Sequence, residues 1–223
     1  MTISDPVALI IAFLYVSVVL AVSEMLRRGL RVSVDLTRKF VHIAVGMIAF
    51  PLVLLFQSWQ FAIIPPVVFI VVNYVSYRRQ VFAGMETGQR GQLGTIYFPI
   101  SFSILIPLLW LQPALLVASL MPMTWGDAFA ALIGQRFGVH KFAIFGQTRS
   151  IEGTIAMFGF SLLAVFLTLL FFAQPLATSF VFALIVALIA SVVEACSPLG
   201  IDNLTVPLSS AIALVVLSVI IGR

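Results

Sequence analysis

Cysteine occurs once in this chain, at Cys196, and histidine twice. A single thiol excludes an intramolecular disulfide framework. So few nitrogen and sulfur ligands leave no spacing suited to zinc. Charge is scarce as well, with Asp, Glu, Lys and Arg making up 9% of the residues. There is no Gly-x-x-x-x-Gly-Lys-Ser/Thr phosphate loop and no protein-kinase signature set. No internal repeat, low-complexity segment or linker stands out, and an inverted repeat would have favoured a transporter. The first residues, Met1-Thr2-Ile3-Ser4-Asp5-Pro6, lack the positive n-region of a signal peptide. The first apolar run is therefore expected to stay as a helix.

What the chain has in abundance is apolar surface. It is 62% hydrophobic, with a mean hydropathy of +1.19. That composition predicts an all-α, polytopic integral membrane helix bundle, with residues 1–223 forming one transmembrane domain. Eight apolar runs fall at about 7–26, 38–56, 61–77, 96–111, 113–135, 153–173, 178–195 and 204–221. Several are near or slightly below the ~20 residues that a span needs. About eight transmembrane helices are expected.

The charges orient the bundle. Arg27, Arg28, Arg31, Arg38 and Lys39 flank the first loop, Arg78, Arg79 and Arg90 the third, and Arg136, Lys141 and Arg149 the fifth. Only Arg223 of the twelve cations falls elsewhere. The positive-inside rule places the odd-numbered loops in the cytoplasm and both termini outside. A net charge of +4 thus reflects orientation and implies no nucleic-acid partner. Seven of the eight acids (Glu24, Asp35, Glu86, Asp127, Glu152, Glu194, Asp202) lie in the same half, which concentrates the polar chemistry on one face.

Asp127 is the most informative of them, because it sits inside an apolar run. A carboxylate at membrane depth costs ~2.5–3.5 kcal/mol on insertion scales, so such residues face a protein interior or a water-filled cavity. On a regular helix Thr124, Asp127, Ala131, Gly134 and Gly138 share one face of small residues around one acid. Such a face is either a packing seam or a metal or phosphate site.

Three further constellations stand beside it. Arg38-Lys39-Phe40-Val41-His42 places two cations and an imidazole at the start of the second run, where they either anchor the helix or hold phosphate oxygens. Lys141 to Thr154 ends in Ser150-Ile151-Glu152-Gly153-Thr154, with Ser150 a natural N-cap. A helix N-terminus attracts phosphate, and Arg149 beside it adds a fork-shaped donor. Glu152 either complements the helix dipole or holds Mg²⁺. Glu194 to Pro207 brings Glu194, Asp202 and Asn203 around a short Pro/Gly loop, which suits a hard cation, although Asn203 also reads as a simple cap.

In this order, Arg38 to His42, Gly126-Asp127-Ala128-Phe129-Ala130, Gly134-Gln135-Arg136-Phe137-Gly138, Ser150 to Thr154 and Asp202-Asn203-Leu204-Thr205-Val206-Pro207 resemble the membrane-bound polyprenol kinase family. That family includes phytol, dolichol and farnesol kinases and is distantly related to CDP-diacylglycerol synthase. Length and run count look more like the compact phytol-kinase branch. The resemblance implies a phosphotransferase that typically uses CTP with a divalent metal. It makes Asp127 the metal-associated acid and Ser150, Glu152 and Gly153 the nucleotide segment. One departure is Arg149, where the family commonly has Lys before the Ser; charge is kept but geometry and hydration differ.

The expected reaction is therefore transfer of the terminal phosphoryl group of CTP to a long-chain isoprenoid alcohol at the cytoplasmic face of a plasma, inner or other internal membrane. Mg²⁺ is expected at Asp127, with Glu152 or Asp202. Arg149, Lys141, Arg38 and Lys39 are expected on phosphate oxygens. Gly134, Gly138, Ser150, Gly153 and Asn203 are expected to complete the nucleotide site. A carboxylate or His42 is expected to take the alcohol proton. The acceptor's tail is expected among membrane lipid and apolar helix faces. Two alternatives stay open: a cytidylyltransferase acting on a lipid phosphate, and a non-enzymatic transporter. Oligomeric state has no sequence signal.

Overall fold

The computed structural model describes residues 3–79 and 93–221. Glu86 and Arg90 of the third loop lie outside the described residues. The protein is an all-α integral membrane bundle. Seven helical stretches are long and apolar enough to cross a membrane: Asp5–Gly29, Val34–Leu55, Trp59–Arg79, Pro113–Phe137, Ile151–Phe171, Leu176–Cys196 and Asp202–Ile220. A shorter apolar helix, Gly94–Leu109, completes the eight runs read from sequence.

Two compact units emerge, Met1–Trp110 and Leu111–Arg223. The first holds α1 (Asp5–Gly29), α2 (Val34–Gly46), α3 (Ala49–Leu55), α4 (Trp59–Ala62), α5 (Ile64–Arg79) and α6 (Gly94–Leu109). The second and third spans are thus each broken. Pro65 and Pro66 fall at the start of α5, where missing amide donors cost least. Polar side chains tie this unit together. The Asp5 carboxylate accepts from the Gln57 amide at 2.7 Å and the Ser58 hydroxyl at 2.6 Å. The Tyr15 hydroxyl donates to the Ala44 carbonyl at 2.7 Å.

The second unit holds α7 (Pro113–Met121), a π-helical segment (Pro122–Asp127), α8 (Ala128–Phe137), a hairpin of β1 (Lys141–Ile144) and β2 (Gln147–Ser150), then α9 (Ile151–Phe171), α10 (Leu176–Cys196) and α11 (Asp202–Ile220). Helix α10 shows the membrane pattern. Ala183, Val186, Ala187, Ala190, Ser191 and Glu194 are buried, whereas Phe180, Leu184, Leu188 and Val192 are exposed. Small residues let neighbouring helices close up, and the large apolar ones suit lipid. The α8–α9 approach is tightest at glycine. A Cβ on Gly153 would stand 3.0 Å from the Ala130 carbonyl oxygen and 3.3 Å from the Gly134 Cα.

Two local features differ from the sequence reading. The wide turn at Pro122–Asp127 interrupts the regular helix that would align Thr124, Asp127, Ala131, Gly134 and Gly138 on one face. Pro122 has no amide to continue an i→i−4 ladder, and the wide turn begins at it. The segment before Ser150, read as a loop, is an antiparallel hairpin with Phe142 opposite Arg149. Its two-residue turn has φ of 47° at Phe145 and 76° at Gly146, the positive values that match strand twist.

Candidate metal and phosphate site

Three elements of the second unit converge on three acids. Asp127 closes the π-helical segment, Glu194 lies in the last turn of α10, and Asp202 opens α11. All three are buried, and their carboxylate oxygens lie within 4.8 Å of one another. Like charges that close in a buried site are costly unless cations balance them. The α10–α11 connection is held by the Ser197 hydroxyl, which contacts Thr205 Oγ1 at 2.8 Å and donates to the Val193 carbonyl at 2.7 Å.

Arg149 reaches this cluster from β2. Its Nη1 stands 2.9 Å from Glu194 Oε1, and its Nη2 stands 3.4 Å from Asp202 Oδ2. Nη2 also donates to the backbone carbonyls of Ser197 at 3.1 Å and Glu194 at 3.4 Å. One guanidinium therefore caps the C-terminal end of α10 and bridges two acids.

Ser150 follows directly and caps α9, its hydroxyl accepting from the Gly153 amide at 3.1 Å. That hydroxyl is wedged against α8: a Cβ on Gly134 would stand 3.0 Å from it. Gly138 meets the same serine. Close helix packing therefore accounts for the small size of Gly134, Gly138 and Gly153.

Glu152 stands apart from the three acids. Its Oε1 lies 2.7 Å from His140 Nδ1 and accepts from the His140 amide at 3.2 Å. His140 was missed from the sequence because it sits alone in the short connection before β1, twelve residues before its partner. Asn203 donates its amide hydrogens to the Gly200 carbonyl and to Asp202 Oδ1, each at 3.3 Å. Lys141 is exposed on β1. In the first unit Arg38 pairs with Asp35 at 3.3 Å, and the His42 ring packs edge-on against Phe98 at 4.9 Å. Lys39 is half-buried beside them on α2.

The donor set fits a hard divalent cation, which takes oxygen ligands. A second feature singles out the same region. Among the described residues, four buried side-chain polar atoms lack a hydrogen-bond partner. Two of them, Arg149 Nε and Asn203 Oδ1, belong to residues that contact the acids. Buried polar atoms are otherwise nearly always satisfied, so both leave room for a further polar partner beside the acids.

Comparison with known proteins agrees with the motifs. A phytol kinase from Synechocystis sp. is 33% identical over 221 residues, covering 92% of this chain and 89% of that one. The chain belongs to the phytol kinase family. A probable chloroplastic phytol kinase from Triticum aestivum is 33% identical over 215 residues, covering 87% of this chain and 71% of its own. A probable chloroplastic phytol kinase 2 from Glycine max is 28% identical over 217 residues, covering 87% and 69%. No family model and no solved structure matches the chain. Glu194, which the motifs alone did not single out as a metal ligand, is the acid that the fold brings beside Asp127 and Asp202.

Proposed function

We propose that the protein is a kinase that transfers the terminal phosphoryl group of CTP to the hydroxyl of a phytol-type isoprenoid alcohol. The observation that carries this reading is the set of three buried carboxylates, Asp127, Glu194 and Asp202, with oxygens within 4.8 Å of one another. They would hold Mg²⁺. A bound Mg²⁺ neutralises charge on the phosphates and fixes their geometry, which is most of what phosphoryl transfer demands.

The chain's own groups supply the rest. Arg149 presents a planar fork of donors suited to phosphate oxygens. The Ser150 cap fixes the start of α9 and holds Arg149 on the strand just before it. The buried acids and the apolar helices around them keep bulk water from competing with the alcohol as acceptor. The exposed apolar faces, such as Phe180, Leu184 and Leu188 of α10, keep the enzyme in the lipid where such an alcohol dissolves. CTP as donor rests on the resemblance of the motif set. The cytoplasmic placement of the site rests on the bias of the cations.

The test is purified protein with Mg²⁺, CTP or ATP, and a panel of prenyl alcohols, analysing nucleotide and lipid products together. CDP and a prenyl monophosphate are expected, with CTP faster than ATP. Asp127→Asn should melt as wild type does in detergent yet lose nearly all turnover, because the amide keeps the shape and removes the charge. Pyrophosphate release would identify cytidylyl transfer instead. Near-wild-type turnover in Asp127→Asn would make Asp127 a packing residue.

A further inference from the structure

The position of Arg149 is unusual for a phosphate-binding residue, because its guanidinium is already occupied by the acids. It bridges Glu194 Oε1 at 2.9 Å and Asp202 Oδ2 at 3.4 Å. A divalent cation held by these carboxylates would compete with the guanidinium for their negative charge and for places on their oxygens. The side chain has a second anchorage that does not depend on those carboxylates. Nη2 also bonds the carbonyls of Ser197 and Glu194. Arg149 can thus give up the carboxylates without leaving the end of α10. Its Nε, buried and without a partner, is a donor in reserve.

We propose that Arg149 is a resident counter-ion that a divalent cation displaces from Glu194 and Asp202, and that its freed donors, with Nε, then take an oxygen of the nucleotide phosphates. This rests on the metal site proposed above. Three consequences follow from the geometry. Without nucleotide, Arg149 holds the acids together and lowers their affinity for the metal. With nucleotide, the displaced guanidinium gains a new anionic partner, so the cost of displacement is recovered. Metal and nucleotide therefore bind with positive coupling, and by linkage each raises the affinity of the other by the same factor. Arg149 acts as a positioning residue whose partner changes, and the protein is kept from closing its polar cluster on a metal that arrives alone.

The test reads metal binding directly. Mn²⁺ titrations of the purified full-length protein in detergent, followed by electron paramagnetic resonance, are run with and without CTP and with no alcohol present. Wild type is compared with Arg149→Gln, Arg149→Lys and Asp127→Asn. Arg149→Gln is expected to bind Mn²⁺ about tenfold tighter than wild type when CTP is absent, by loss of a competing charge. CTP should tighten Mn²⁺ in wild type and change it much less in Arg149→Gln. If Arg149→Gln does not fold, Arg149→Lys carries the comparison. A single ammonium cannot bridge both acids and hold both carbonyls, so it should also bind Mn²⁺ more tightly than wild type and show weaker coupling to CTP. Equal or weaker Mn²⁺ binding in the variant that folds, with Asp127→Asn still losing the site, overturns the exchange and leaves Arg149 a helix cap. Undiminished Mn²⁺ binding in Asp127→Asn overturns the metal reading itself, and the exchange with it.

Discussion

Two glutamates near helix ends, Glu152 and Glu194, separate what local pattern and tertiary position each contribute. Glu152 lies in the first turn of α9, its side chain 26% exposed, beside a His140 that is 72% exposed. Glu194 is 4% exposed and faces Arg149. Both carry the same chemistry, but their surroundings differ. Glu194→Gln should lower turnover and Mn²⁺ affinity by more than the ~10–100-fold that an outer-shell partner is worth. Its effect on stability should stay below the ~3–5 kcal/mol of breaking a buried pair, because the amide still accepts from Arg149. Glu152→Gln should retain Mn²⁺ binding and weaken the start of α9 only slightly, by losing a charge that complements the helix dipole. Mn²⁺ titration and detergent melting of both variants check this, and loss of metal in Glu152→Gln alone would make it the third ligand. Asp127 was legible in sequence because an acid inside an apolar run has few structural explanations. The weight of Glu194 was not, because an acid at the end of a span is also what an ordinary interfacial residue looks like.

At the scale of elements, the start of α9 and its neighbours act as one piece. Ser150 caps α9, wedges against Gly134 and Gly138, and continues the strand that carries Arg149. Gly153→Val should push α8 from α9 and destabilise the protein by ~1–3 kcal/mol, the usual cost of overpacking. CTP binding should fall along with stability, and Gly153→Ala should lie between. Melting temperature and CTP binding, measured on the same samples, decide the role of these glycines. CTP binding lost at an unchanged melting temperature would make them nucleotide contacts. The cap at Ser150 was readable from a serine placed just before an apolar run with Glu152 in its first turn. The hairpin before it was not, because Phe145-Gly146 is a weak turn signal compared with Asn-Gly, and four-residue strands carry too little alternation to declare themselves. The π-helical segment had one local cue, Pro122, and its consequence for register depends on packing that no periodicity encodes.

For the whole molecule, eight apolar stretches are legible in sequence because bilayer thickness fixes their length and composition. Their packing is less so, since small buried residues and large lipid-facing ones reverse the contrast that marks a soluble core. Sidedness comes from charge alone, and it makes the last prediction. The hairpin and the α10–α11 connection lie at one end of the second unit, joined through Arg149 to Ser197 and Asp202. The positive-inside rule assigns that end to the cytoplasm, because Arg136, Lys141 and Arg149 cluster there. The α10–α11 connection has no cation of its own, so its side follows from its contact with Arg149. Replacing Cys196 by Ser and introducing single cysteines at Gln147 and Leu199 gives two reporters for one face. Both should react with a membrane-impermeant maleimide only after right-side-out vesicles are opened, and both should do so together. Labelling of both from the outer face would invert the bundle and overturn the cytoplasmic placement of the site. Labelling of one alone would break the contact that assembles the site. Labelling of both on the inner face alone would put the acids and the guanidinium on the side that the proposed reaction requires, where a cytoplasmic nucleotide would meet an alcohol arriving from the lipid.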